Sequence, residues 1–353
     1  MSRLVIDGRE IGIGQPCFII AEAGVNHNGQ LKLAHDLVDA AANAGADAVK
    51  FQTWITEKVV KPGARKAHYQ QVQCPDESDQ FALIKPLELR FEWHGELKQH
   101  AEERGLVFLS TADEIESARF LCTLGVPAVK IGSAELTNLP FLRQLGGLGK
   151  PLILSTGMGT LEDVRRAVEA IHSRATVPLA LLHCVSAYPA PEEEMNLRCL
   201  TTLRREFDVP VGLSDHTMNS LAATAAVGLG MDILEKHITL DHALPGPDHS
   251  ASSEPDEFAE LVRTVRKVES MLGTGVKAPA SSEMGTRAAV LRTLLYARDF
   301  PAGHMLVDED MESLRCGLHG LPPEAATCLT GKVLRRAVQA GSPVGDNDLR
   351  LVG

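Results

Sequence analysis

The chain has 353 residues, 44% of them hydrophobic, and a formal net charge of −11. That length suits one large domain plus a small one, and the apolar fraction is ample for a core. The acidic balance argues against a nucleic-acid partner, and no apolar run is long enough to span a bilayer. A small anionic substrate stays open, because a few placed Lys or Arg residues set the local field.

The seven cysteines are odd in number and form no CxxC pair, the usage of a reduced intracellular protein. The opening stretch, Met-Ser-Arg-Leu-Val-Ile-Asp-Gly, lacks a signal-peptide apolar region. A cytoplasmic protein is expected.

In chain order, Cys17 to Glu22 is an apolar run ending in an acid. Leu31 to Ala44 has helical spacing and stops at Gly45. Asp47 to Gln52 is the next strand. Further strand cores follow at Leu106–Thr111, Ala128–Ser133, Pro151–Ser155, Ala180–Ser186, Val211–His216 and Ile233–Asp241. Amphipathic stretches separate them, among them Phe91–Arg104, Glu114–Leu124, Leu161–His172 and Ser220–Gly228, and Glu254–Leu272 follows the last. Continuous apolar strands indicate a parallel sheet covered by helices. Eight strand–helix units predict an α/β fold, the (β/α)8 TIM barrel, over residues 1–273. The competing doubly wound sheet lacks its GxGxxG after the first strand.

Thr53 to Leu89 shows no strand pattern. Long loops in compact domains are usually functional or disordered, and this one follows the second strand, where a lid over the active-site mouth is expected. Residues 274–287 read as a Gly/Ser/Pro/Ala-rich linker. Beyond it, Ala302-Gly303, Leu306, Asp308, Asp310, Met311 recurs at identical spacing as Ala340-Gly341, Val344, Asp346, Asp348, Leu349. This internal repeat predicts a small β-rich domain over 288–353.

The active site of such a barrel lies at the C-terminal ends of its strands. Here those ends carry Glu22, Lys50 and Gln52, Thr111, Lys130 and Ser133, Ser155, His183 and Ser186, Ser214 and His216, and Glu235 and His237. A lysine inside an apolar strand needs a bound anion or a carboxylate partner, since burial alone is costly. Ser155 to Thr160 is a Gly-containing turn opening a helix, whose N–H groups attract anions. His216 and His237 end neighbouring strands about 5 Å apart. They read either as core histidines satisfied by backbone or as two ligands of one divalent metal. In the second case the open coordination positions suit water and a carbonyl oxygen.

At this point the chain resembles the bacterial sialic acid synthases, the nonulosonic-acid synthase family. The matching stretches are FIIAEAGVNHNG, GADAVKFQT, KAHYQ, FLST, VKIGSAELTN, KPLILSTGM, HCVSAYP, VGLSDHT, EKHITLD and GPDHSASSEP. The C-terminal region looks like the antifreeze-like (SAF) domain of that family. The resemblance implies condensation of phosphoenolpyruvate with the open-chain aldehyde of N-acetylmannosamine, giving N-acetylneuraminate and phosphate. A legionaminic or pseudaminic acid synthase using a dideoxy-diacetamido hexose is the alternative. It implies a divalent metal, Mn2+ first, on His216 and His237. Lys50, Thr111, Lys130, Ser133, Ser155 and Ser214 match the phosphoenolpyruvate positions, and Gln52, Glu135, Tyr188 and Asp248 those facing the sugar or reacting centre. Glu22, Asn26 and His27 match the first motif. Lys50, Lys130, Glu22 and Glu135 are the expected catalytic residues, Glu135 orienting water or handling a proton. Arg315 matches an arginine delivered to the partner's sugar across a domain-swapped homodimer.

Two departures bear on the sugar. The family often has Pro-Phe after the third strand's Ser-Thr, where this chain has Ala112-Asp113. The family arginine usually precedes Pro-Gly-x-Gly, where this chain has Cys316-Gly317-Leu318-His319-Gly320. A metal-dependent barrel hydrolase and a glycan- or ice-binding protein are the readings from other classes.

Overall fold

Along a strand buried on both faces, alternate side chains point to opposite sides. The computed structural model describes residues 3–317 and 320–349. Two short strands come first, β1 (Leu4–Ile6) and β2 (Arg9–Ile11), paired as an antiparallel hairpin. Eight parallel strands then close a barrel: β3 (Phe18–Gly24), β4 (Ala48–Thr53), β5 (Val107–Ala112), β6 (Val129–Ile131), β7 (Leu152–Ser155), β8 (Leu179–Cys184), β9 (Val211–Asp215) and β10 (Ile233–His237). β10 pairs with β3 to complete the circle. The expected TIM barrel is the observed fold.

The alternation explains where the two cores lie. Ile19, Val49, Phe108, Val129, Leu154, Leu181, Leu213 and Leu234 point outward and pack with the surrounding helices. Ile20, Ala48, Leu109, Ala128, Ile153, Leu182 and Ile233 point inward and form a second apolar cluster. Leu4, Ile6 and Ile11 of the β1–β2 hairpin belong to that inner cluster and are buried. The hairpin therefore plugs the barrel at the end where the strands begin. The sequence reading placed no strand there.

Strand ends differ from expectation by a few residues. β8 stops at Cys184 and β10 at His237. After β6 the chain turns through a short 3-10 segment, Ser133–Glu135, which brings Glu135 back over the barrel mouth. The insertion after β4 is not structureless. It holds short helices at Thr56–Val59, His68–Gln73 and Gln80–Ile84.

The chain divides into two units, Met1–Gly273 and Thr274–Gly353. In the second, β11 (Thr293–Tyr296) pairs antiparallel with β12 (Met311–Leu314). Leu294, Tyr296, Phe300, Leu306, Leu334 and Val344 make its core. The sequence repeat has a physical reason here. Asp310 accepts from the Val307 N–H, and Asp348 from the Gly345 N–H, each closing a 3-10 turn. Leu306 and Val344, at equivalent positions, are fully buried. Leu318 and His319, part of the departure after Arg315, lie outside the described residues. Among the described residues no helix is long and apolar enough to cross a membrane.

Candidate active site

Parallel pairing puts matched residues of neighbouring strands on the same face. The register pairs Glu22 with Lys50, Gln52 with Thr111, Thr111 with Lys130, Ser214 with Glu235, and His237 with Glu22. All these side chains sit at the C-terminal ends of inward-facing rows whose earlier members form the inner apolar cluster. The rows switch from apolar to polar, and a cavity of about 430 Å3 opens above the switch.

The floor of the cavity is a buried charge quartet. Lys50 Nζ lies 2.6 Å from Glu22 Oε2 and 3.6 Å from Glu235 Oε2. Lys130 Nζ lies 3.5 Å from Glu235 Oε1. Lys50 also donates to Thr111 Oγ1 at 2.7 Å, and Lys130 to Ser155 Oγ at 2.7 Å. Ser214 Oγ donates to Glu235 at 3.0 Å, and Gln52 Nε2 to Glu22 at 2.9 Å. Burial opposes every one of these charges. Burial pushes the Glu235 carboxyl up, but Lys130 and Lys50 together outweigh it and hold it at about 2. Burial pulls Lys50 down, and Glu22 and Glu235 overcome it, so Lys50 stays protonated. Lys130, with one carboxylate partner and Lys50 nearby, is lowered chiefly by burial.

The two lysines were expected to have either an anion or a carboxylate as partner. They have carboxylates, so the lysines alone do not argue for a bound anion. The Ser155–Thr160 turn is also less open than expected. Thr160 N–H donates to Asp163, which closes a capping box on helix Leu161–His172, and Gly157 N–H donates to Ser133 Oγ. Gly157 is required for space, because a Cβ there would lie 2.3 Å from Ser186 Oγ and 2.7 Å from Cys184 Sγ.

Two residues beyond Ser214 and Glu235, His216 and His237 face each other with ring centroids 5.5 Å apart. His216 Nδ1 lies 2.7 Å from the Val185 carbonyl, so it carries the proton and leaves Nε2 as a lone-pair donor. His237 Nδ1 is buried without a hydrogen-bond partner and lies 3.8 Å from Asp248 Oδ2. Burial lowers both imidazoles, and for His237 the neighbouring His216 and Lys50 add to it. Both are neutral, the form that ligates metals. Among the described residues no three His, Cys, Asp or Glu side chains converge on one point. An ion here would have two protein ligands and take the rest from water and substrate. The two imidazoles suit Zn, Fe, Ni or Cu, and the oxygen-rich remainder suits Mn2+ or Mg2+. The orphaned nitrogen and the neutral pair fit such an ion.

A family model described as NeuB family matches residues 37–277, and one described as SAF domain matches residues 292–350. The chain belongs to the NeuB family. It is 44% identical to the N,N'-diacetyllegionaminic acid synthase of Legionella pneumophila over 335 residues, 94% of each chain. It is 35% identical to the human N-acetylneuraminate-9-phosphate synthase over 92% of this chain and 90% of that one. The crystal structure of an N-acetylneuraminic acid (sialic acid) synthetase from Leptospira borgpetersenii serovar Hardjo-bovis in complex with citrate superposes with a TM-score of 0.73 at 32% identity. That match covers 82% of this chain and 97% of the other.

Within this NeuB-family barrel the remaining expected residues fall into two groups. Ser133, Glu135, Tyr188 and Asp248 line the cavity with the quartet and the imidazoles. The Tyr188 ring lies 4.2 Å from His216 and 4.9 Å from Tyr69 of the insertion, so the insertion forms one wall. Burial raises Glu135, and Asn138 donates to it at 2.6 Å. Burial pushes Asp248 up to about 7, with Glu22 adding to it.

The others lie elsewhere. His183 Nε2 donates to the Met195 carbonyl, 2.7 Å away, and is not among the lining residues. Asn26 donates to the Ile238 carbonyl and Ser252, and His27 Nδ1 accepts from Gly29 N–H, so both stitch a loop. Of the insertion's cations, Lys58 pairs with Glu116, and Lys66 donates to the Cys74 carbonyl. Arg315 belongs to the second unit and is exposed. Glu235 was visible in the sequence only as a polar strand end. Its spacing of two from His237 puts both on the inward face, but its bridge between two lysines needs the closed barrel.

Proposed function

We propose that this chain condenses phosphoenolpyruvate with the open-chain aldehyde of an N-acetylated hexose to give a nonulosonic acid and phosphate. The observation that carries this is one cavity lined both by the neutral His216–His237 pair and by the Lys50–Lys130 pair. The enol C3 bonds to the aldehyde carbon, whose oxygen takes a proton. Water adds at C2, and the C2–O bond to phosphate breaks.

Lys50, Lys130, Thr111, Ser133, Ser155 and Ser214 would hold the phosphate and carboxylate of phosphoenolpyruvate. The incoming anion competes with Glu22 and Glu235 for the lysines, and Glu22, its carboxyl raised by burial, is the group able to take up a proton as this happens. A divalent ion on His216 and His237, Mn2+ by choice, would polarise the acceptor carbonyl. Glu135, over the mouth, would orient the water that adds at C2. Gln52, Tyr188 and Asp248 would position the sugar, and positioning alone can lower a bimolecular barrier by about 7–11 kcal/mol.

Of the acceptors, the identity of 44% to a diacetyllegionaminic acid synthase favours the diacetamido hexose. The match to a sialic acid synthetase structure keeps N-acetylmannosamine as the second reading. A homodimer also has support. Every residue from Ser270 to Arg292 is exposed, including helix Met284–Val290 with Met284 and Val290. A second copy would cover that segment, and Arg315 would act across the interface. Sedimentation showing only monomer would remove this part.

Phosphate release should be scored with phosphoenolpyruvate and N-acetylmannosamine, its 6-phosphate, mannose or a diacetamido hexose. Release should need both substrates, stop on chelation and return with Mn2+. Release without sugar would make the protein a hydrolase, and a fully active His216→Ala, His237→Ala double variant would end the metal proposal.

A further inference from the structure

The inward face of β5 reads Val107, Leu109, Thr111 at every second residue, and the next member of that row is Asp113. Its carboxyl lines the cavity with Thr111, Gly132 and Glu135. A Cβ built on Gly132 would lie 3.7 Å from Asp113 Oδ1, so the absence of a side chain at 132 leaves that oxygen uncovered. Among the described residues no side chain hydrogen-bonds the Asp113 carboxyl or pairs with it within 4.0 Å. This sets it apart from Glu22 and Glu235, which have lysine partners, and from Glu135, which has Asn138. The half-buried carboxyl is open to the cavity, so a donor on a bound ligand can take the place of water there.

We propose that Asp113 is a specificity-determining residue that accepts a hydrogen bond from a hydroxyl or amide N–H of the acceptor sugar. This rests on the condensation proposed above. The quartet side of the cavity already supplies two ammonium groups and the hydroxyls of Thr111, Ser155 and Ser214. An added carboxylate repels phosphate and carboxylate, so Asp113 suits the uncharged substrate. Its charge state supports the same assignment. Burial and the facing Glu135 push it up to about 7, with Glu22 adding, while Lys50 and Lys130 oppose. The ionised form, the better acceptor, prevails above that value. A site built to bond a donor discriminates strongly against a ligand lacking it.

The test compares wild type, Asp113→Asn and Asp113→Leu on N-acetylmannosamine and on a diacetamido hexose, with melting curves to establish folding. Asp113→Leu should lower kcat/KM for the better acceptor by about tenfold or more. The factor should differ between the two sugars, and the KM for phosphoenolpyruvate should hold. In wild type, kcat/KM for the acceptor should rise through about pH 7, where Asp113 and Asp248 both titrate, and the rise should be smaller in Asp113→Asn. Equal losses on both sugars, a raised phosphoenolpyruvate KM instead, or an unchanged pH profile in folded Asp113→Asn would overturn the assignment while leaving the condensation standing. Wild type inactive on every sugar of the panel above would overturn both.

Discussion

Replacing Glu235 with Gln keeps its shape and removes its charge. The carboxylate is buried 3.5 Å from Lys130 Nζ and 3.6 Å from Lys50 Nζ. Each contact is worth about 5 kcal/mol at an effective dielectric of 20, against which the carboxylate's own desolvation must be set. The variant leaves two buried ammonium groups facing one carboxylate, Glu22. Removing one partner of a buried pair typically costs about 3–5 kcal/mol, which for a unit of this size lowers Tm by about 6–20 °C. The site then lacks one negative charge, and phosphate or phosphoenolpyruvate can supply it. Calorimetric melts should show a larger rise in Tm on adding phosphoenolpyruvate to Glu235→Gln than to wild type. A variant melting within about 2 °C of wild type would contradict the quartet energetics. Equal stabilisation by phosphoenolpyruvate would contradict competition between anion and carboxylate.

His94 gives a pH test away from the site. It is buried, its Nδ1 donates to the Arg90 carbonyl at 3.0 Å, and its Nε2 accepts from the Thr53 hydroxyl at 2.7 Å. Burial holds it at about 4, below the ordinary 6.5. The unfolded chain therefore takes up this proton first, and stability falls as pH drops from about 6.5, the loss being complete below about 4. The size is about 3 kcal/mol. Denaturant titrations should show this decline in wild type and less of it in His94→Gln, and parallel declines would refute the account. Deleting residues 3–11 should uncover the barrel floor. Burial of Leu4, Ile6 and Ile11 is worth about 5–9 kcal/mol together, so the truncated chain should be insoluble or melt far below the full one. An unchanged Tm would show that the plug contributes nothing.

The sequence by itself determined the barrel, because each strand is a local apolar run bounded by turn signals and each polar end lies at its close. It also determined which positions share a face, since a period of two needs no partner to be read. The three-residue strands of the hairpin are too short to show a period, and their burial comes from residues far along the chain. Partnership was likewise beyond the sequence. Lys50 meets Glu22 through strand register, but it meets Glu235 only because β10 closes on β3. His216 faces His237 because β9 and β10 are neighbours, and His183 turns away to Met195 because it follows Leu181 in the outward row. Charges, orphaned atoms and cavity walls are properties of that circle, because burial and Coulomb coupling act between neighbours in space.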